Sequence, residues 1–239
     1  VNMKFKDKET GEIFEKENHH AFKEEYDHSE DFFGQEVGLT VSGQLEAETA
    51  ALGLGRVFTF GPTFRAENSQ TTRHLSEFWM MEPEMSFADL DYTMGFVEMY
   101  LKFVLTELQK ICPKELEYLD KYMQEEEKGL KKEDRSMPLL EKLQSVCGEP
   151  FKRITYTEAF DILRASKPAK KGKFEFPVEK WGMDLQSEHE RYLVEKHFKC
   201  PVIVHDYPKE LKAFYMRNNE DGKTVAAMDV LFPGIGEIV

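Results

Sequence analysis

FRAENSQTTRHLSEFWMMEPEM (residues 64–85) joins two strand-like runs through a polar loop. The first run, Arg56–Glu67 (RVFTFGPTFRAE), and the second, Glu77–Phe87 (EFWMMEPEMSF), are rich in aromatic and β-branched residues, and with the loop Asn68–Ser76 between them they predict a long hairpin. Side chains alternate along a strand, so Arg65 and Glu67 point one way, and Phe78, Met80, Glu82 and Glu84 share one face of the return strand. If both sets meet one cavity, it holds a guanidinium, carboxylates and an aromatic plate, which suits a nucleotide. The guanidinium fork matches a phosphate, the ring can stack on a base, and Glu67 can accept from an exocyclic amine. Arg73 and His74 in the loop are placed to reach the outer phosphates. Taken singly, each has a plainer explanation: a strand Arg is often a surface ion pair, Phe78 a core residue, His74 a solvated loop residue. The ordered string carries the case.

Outward from the hairpin, Gln44–Leu52 reads as a helix with Ser42 as N-cap and Gly53 and Gly55 ending it. Phe32–Thr40 is strand-like, and residues 1–31, polar and without sustained period, read as a loop or irregular insertion. Leu90, Met94, Val97, Leu101, Val104 and Leu108 recur at three and four residues, the pattern of an amphipathic core helix. The charge-dense segment 114–135 begins helical, and short helices follow at 138–147 and 157–165, the latter capped by Thr155 or Thr157. Ser187–Lys199 reads as a helix and Pro201–His205 as a strand, while strands Ala213–Arg217 and Thr224–Leu231 flank an Asn-Asn-Glu-Asp-Gly turn. Antiparallel hairpins with helices between them indicate an α+β fold, not a doubly wound parallel sheet.

The 239 residues, 41% hydrophobic and 13% aromatic, can bury a large core. No stretch approaches the roughly 18–20 apolar residues of a membrane span, and Val1 to Glu17 is too charged for a signal peptide. Cys112, Cys147 and Cys200 form no CxxC pair, which leaves neither a disulfide framework nor a cysteine zinc site and favours the cytoplasm. A net charge of −13 excludes a surface that grips nucleic acid all over, and leaves room only for local patches such as Lys167, Lys170, Lys171 and Lys173.

The string FRAE–loop–RHLSEF–WMMEPEM resembles motif 2 of the class II aminoacyl-tRNA synthetases of the aspartate, asparagine and lysine subgroup. LTVSGQLEAE (Leu39–Glu48), WGMDLQSEHERYL (Trp181–Leu193), YPKELKAFYMR (Tyr207–Arg217) and AAMDVLFPGIGEIV (Ala226–Val239) are similar to segments of the asparaginyl enzymes of bacterial or organellar type, in the same order. The resemblance implies one class II catalytic domain over residues 1–239, an antiparallel sheet flanked by helices, with a mostly helical insertion at about 110–175. It implies an ATP-dependent ligase in which the amino acid's carboxylate attacks the α-phosphate and the aminoacyl group then passes to tRNA(Asn). Arg65 would bind the α-phosphate, Glu67 the adenine or acceptor end, His74 the γ-phosphate, and Phe78 the adenine face. Asp229 and Glu237 would hold Mg²⁺, and Gln44, Glu82 and Arg217 the amino acid. Motif 1, with its homodimer interface, is expected upstream of Val1 and motif 3 beyond Val239, so the stretch is expected to be incomplete at both ends and inactive alone.

Aspartyl-tRNA synthetases share the hairpin and are the nearest competitor. Where they typically carry a lysine for the substrate's side-chain carboxylate this chain has Ala47, and Glu82 stands where they usually carry Asp. A second carboxylate without a cation is poorly compensated, whereas Glu82 suits an amide NH₂, so asparagine is the expected substrate. A non-catalytic synthetase-like module would have lost motif residues, yet all are present. The tRNA-independent asparagine synthetase relative is disfavoured by the FRAENSQTTRHLSEF string and by Ala47.

Overall fold

The computed structural model describes residues 3–7, 13–16, 24–26, 29, 34, 38–66, 75–130 and 135–238, arranged as two compact units, Val1–Phe87 and Ala88–Val239.

In the first unit, β1 (Met3–Asp7) lies between β2 (Ile13–Lys16) and β3 (Glu24–Tyr26) in an antiparallel sheet, with Phe5 in register with both Phe14 and Tyr26. This corrects the loop expected for residues 1–31. The alternation Met3-Lys4-Phe5-Lys6 is only a few residues long, too short to stand out from a polar background. Most of the strand expected at Phe32–Thr40 lies outside the described residues; 38–40 form no strand, although the Thr40 carbonyl accepts from Phe64 N at 2.8 Å.

Helix α1 (Gln44–Leu54) covers the hairpin of β4 (Arg56–Phe64) and β5 (Glu77–Met85), paired in unbroken register from Arg56↔Met85 to Phe64↔Glu77. The small buried residues Ala47 and Ala51 let the helix lie close to the strands. Gly55, at φ +85°, turns the chain out of the helix into β4, a conformation that costs other residues a Cβ clash.

The second unit is built on the sheet β6 (Lys152–Thr155), β7 (Val202–Pro208), β8 (Thr224–Phe232) and β9 (Gly236–Glu237), in that order. The β7–β8 and β8–β9 pairs are antiparallel, but β6 runs parallel to β7, so the sheet is mixed where an antiparallel one was expected. A parallel neighbour needs a long crossover, supplied here by α5 (Tyr156–Ala165), α6 (Lys167–Lys170) and α7 (Ser187–Arg191). The remaining helices are α2 (Leu90–Ile111), α3 (Pro113–Glu126) and α4 (Leu139–Gly148). The stretch 110–175 is thus largely helical but contributes β6 to the sheet. Its helix α5 starts at a capping box formed by Thr155 and Glu158.

β7 is the central strand. Val202 and Val204 enter a core with Tyr156, Leu163, Leu193 and Leu231, and Ile203 enters a second core with Met94, Val97, Val146, Val230 and Phe232. Burial on both sides explains its run of β-branched residues, each such side chain being worth about 1.5–3 kcal/mol in apolar transfer.

Two expectations are corrected. Ser187–Lys199 is not one α-helix, because Tyr192–His197 winds as a π-helix with Leu193 and Val194 buried. Ala213–Arg217 is no strand: Phe214 is 97% exposed, and only an isolated bridge, Asn218↔Val225, pairs with β8. Aromatic content mimicked a strand where the described residues offer no partner strand. The three cysteines are unpaired, and no helix among the described residues is long and apolar enough to cross a membrane.

Candidate active site

Strand parity brings Arg65, Phe78, Met80 and Glu82 together in the first unit. The Arg65 guanidinium lies 5.4 Å from the Phe78 ring centroid, with Nη2 3.9 Å from Met80 Sδ and Nε donating to the Val41 carbonyl at 3.3 Å. The side chain is exposed and meets no carboxylate at ion-pair distance among the described residues, so its fork stays available to an anion.

Glu82 is clamped. Oε1 accepts from Ser42 Oγ, and Oε2 accepts from Gly43 N and from Thr59 Oγ1, both at 2.9 Å. Burial pushes its pKa up, but the donors Ser42, Gly43 and Thr59, helped by the Arg65 charge, outweigh that and hold the carboxyl below its ordinary value. Three of a carboxylate's roughly four acceptor sites are filled, leaving one on Oε1. Glu84, two residues on, is pushed the other way by burial and then by the charges of Glu48 and Glu82. Helix α1 carries no Lys or Arg, and Ala47 is buried in the interface with the hairpin. Gln44 donates its amide to Glu48 Oε1 at 2.9 Å, which keeps its own carbonyl oxygen as an acceptor. Glu67, Arg73 and His74 lie outside the described residues.

Ser42 is not the helix cap expected of it. Gly43 occupies that position, and the Ser42 hydroxyl, while accepting from Gln44 N at 3.0 Å, donates to Glu82. Thr59 carried no local signal; only its register opposite Glu82 reveals its role.

In the second unit, Asp229 on β8 and Glu237 on β9 line one small cleft of about 90 Å³ with Asp184, Glu190, Tyr207 and Lys212. Lys212 Nζ donates to both Asp229 oxygens, at 2.6 and 2.8 Å, and sits 4.1 Å from the Tyr207 ring centroid. Burial, then the neighbouring Asp229 charge, hold the Tyr207 hydroxyl well above the usual phenol range. Glu237 N donates to Glu190 Oε2 at 3.1 Å. Arg217 is exposed and lines an adjoining cleft of about 390 Å³ with Lys212, Asp229 and Asp89. Sequence reasoning passed over Lys212 and Tyr207, although both lie inside the quoted YPKELKAFYMR segment.

Among the described residues no group of three or more Asp, Glu, His or Cys side chains forms a closed metal cage. Asp229 and Glu237 present carboxylates to one cleft, the hard-donor chemistry that Mg²⁺ takes, typically one or two carboxylates with water and phosphate oxygens completing its shell.

A family model described as tRNA synthetases class II (D, K and N) matches residues 6–239. The chain is 57% identical over 215 residues to the asparagine–tRNA ligase of Cytophaga hutchinsonii, covering 90% of this chain and 43% of the relative. It is 56% identical over 209 residues to that of Oleidesulfovibrio alaskensis, covering 87% and 42%. The crystal structure of Pyrococcus horikoshii asparaginyl-tRNA synthetase complexed with asparaginyl-adenylate superposes with a TM-score of 0.66 at 35% identity, over 83% of this chain and 40% of that one. The chain thus spans about two fifths of the length of the relatives it matches. With the family pattern running through the arginine-bearing hairpin and the carboxylate-bearing β8–β9 segment alike, the chain belongs to the class II tRNA synthetases of the D, K and N group.

Proposed function

We propose that this chain is the part of an asparagine–tRNA ligase that activates asparagine with ATP. The observation that carries the reading is the clamped, ionised Glu82 beside a helix without cations. Its one remaining acceptor site suits the NH₂ of a side-chain amide. The same charge, with Glu48 and Glu84 close by, repels the second carboxylate of aspartate.

In the reaction, an asparagine carboxylate oxygen bonds to the ATP α-phosphorus while the bond to the bridging oxygen breaks and pyrophosphate leaves. A hydroxyl of the terminal tRNA adenosine then attacks the acyl carbon and AMP departs. Arg65 neutralises charge on the α-phosphate as it develops, and Phe78 offers its ring to the adenine. Gln44 orients the substrate ammonium through its free carbonyl oxygen, and Arg217 meets a substrate anion. Glu67, Arg73 and His74 keep the adenine and outer-phosphate roles expected of them. Asp229 and Glu237 would hold Mg²⁺, which supplies charge neutralisation to the phosphates when bound. We place the intact enzyme in the cytoplasm as a homodimer acting on tRNA(Asn).

ATP–pyrophosphate exchange by the protein carrying this chain tests the reading. Exchange should be driven by asparagine far more than by aspartate; equal or better exchange with aspartate overturns it.

A further inference from the structure

Four carboxylates, Asp184, Glu190, Asp229 and Glu237, border the small cleft of the second unit, and Lys212 is the one cation that lines it. The Lys212 side chain is only 21% exposed, and its ammonium spans both oxygens of Asp229. The Tyr207 ring beneath it adds a cation–π contact. Carboxylates gathered in a partly dry cleft repel one another, and removing the ammonium deprives Asp229 of its ion-pair partner. A divalent ion brought to Asp229 meets the Lys212 ammonium already at contact distance on both carboxylate oxygens. Ammonium and metal therefore compete by charge for Asp229. Lys212 also borders the wider cleft that holds Arg217 and Asp89, so an ammonium leaving Asp229 has somewhere to go.

We infer that Lys212 is the resident counter-cation of the Asp229–Glu237 site: it holds the carboxylates together without metal and yields Asp229 when a divalent ion enters. The inference rests on the assignment of Asp229 and Glu237 as metal ligands. It makes Lys212 a positioning residue that sets the threshold for metal binding and, once released, adds a positive charge beside Arg217 in the cleft where an anionic substrate group would bind.

Mn²⁺ titrated into the metal-free protein and followed by electron paramagnetic resonance tests this. Lys212→Met should bind Mn²⁺ about tenfold more tightly than the wild type, because a unit positive charge at contact distance is gone. Lys212→Arg, which keeps the charge, should not show the gain, and Asp229→Asn should lose binding. The metal-free Met variant should also melt below the wild type, and Mn²⁺ should raise its midpoint by more than it raises the wild type's. If the Met variant does not fold, Lys212→Gln retains a hydrogen bond without charge and serves the same comparison. Equal or weaker Mn²⁺ binding by the uncharged variant, with Asp229→Asn still abolishing it, overturns the inference. Unchanged binding by Asp229→Asn overturns the ligand assignment beneath it as well.

Discussion

Thr59 and Glu82 stand opposite each other in the β4–β5 register, and the Thr59 hydroxyl donates to Glu82 Oε2 at 2.9 Å. With Ser42 and Gly43 donating from the other side, the carboxylate is fixed in place and in charge. Glu82→Gln would bring an NH₂ group against at least one of these three donors. The asparagine-to-aspartate preference in pyrophosphate exchange should fall by about tenfold or more, and an unchanged ratio would clear Glu82 of discrimination. The clamp also has a pH signature. Its depressed pKa gives stabilisation that is fully present above the unfolded-state value of about 4.3 and lost as pH falls through the lower folded value. Thermal midpoints measured downward from about pH 5 should fall more steeply in the wild type than in Glu82→Gln.

The Arg65 guanidinium makes one long hydrogen bond, one contact with a thioether and an exposed ring contact with Phe78, so its protein contacts contribute little. Arg65→Ala should leave thermal stability nearly unchanged yet lower asparagine activation on the order of 100-fold, as loss of one preorganised charge-stabilising donor does elsewhere. Arg65→Lys should recover only part, since a point charge cannot reproduce a planar fork. Near-wild-type exchange by the Ala variant would reduce Arg65 to a surface residue.

The hairpin was legible because its signal is local and long: two nine-residue strands in which parity sets Phe78 and Glu82 on one face, while the register brings Arg65, one residue past β4, to the same side. What encloses those residues was not. Ser42 matches the local grammar of a helix cap, yet its hydroxyl serves a carboxylate forty positions away. Thr59 is an ordinary strand residue until its cross-strand partner is known. Lys212 carries no signal of its own until β8 brings Asp229 against it. In each case the pairing is set by tertiary approach, which spacing in a single sequence does not encode. The parallel β6 was missed for a related reason: Lys152-Arg153-Ile154-Thr155 is short and charged, and its burial comes from β7.

Glu84 carries the opposite pH signature to Glu82. Burial, Glu48 and Glu82 raise its pKa, so folding costs more when it is ionised, and its contribution improves as pH falls through the raised value. Glu84→Gln removes the repulsion. At pH 7 it should stabilise the protein by about 0.5 kcal/mol, kept small by solvent screening. The gain should shrink toward pH 4, as the wild-type carboxyl takes up its proton through the raised value. Melting curves of both proteins at the two pH values check this; a gain independent of pH would mean that charge is not the cause.

Gly43 is held against Thr59 closely enough that a methyl group does not fit. A Cβ on Gly43 would fall 2.7 Å from Thr59 Oγ1, 2.9 Å from its Cγ2 and 3.0 Å from its Cβ. The backbone there, at φ −91°, is acceptable to any residue, so the demand for glycine is one of space alone. Gly43→Ala should therefore cost about 1–3 kcal/mol through overpacking. Thr59→Ala should cost about 1 kcal/mol by losing the hydrogen bond to Glu82. In the double variant the added methyl group enters the room that Thr59 vacates, so the combined loss should fall short of the sum by about 1 kcal/mol. Asparagine activation should not follow the same rule. The Gly43 N–H and the Thr59 hydroxyl are both donors to Glu82, and relieving the clash restores packing without restoring the missing hydroxyl. Chemical denaturation of the four proteins, with pyrophosphate exchange measured on each, separates the two effects: stability should be coupled and partly rescued, while activity stays low. Strict additivity in stability would show that the Gly43 loop does not lean on Thr59. Full recovery of activity in the double variant would show that Glu82 needs no help from Thr59 to hold its place.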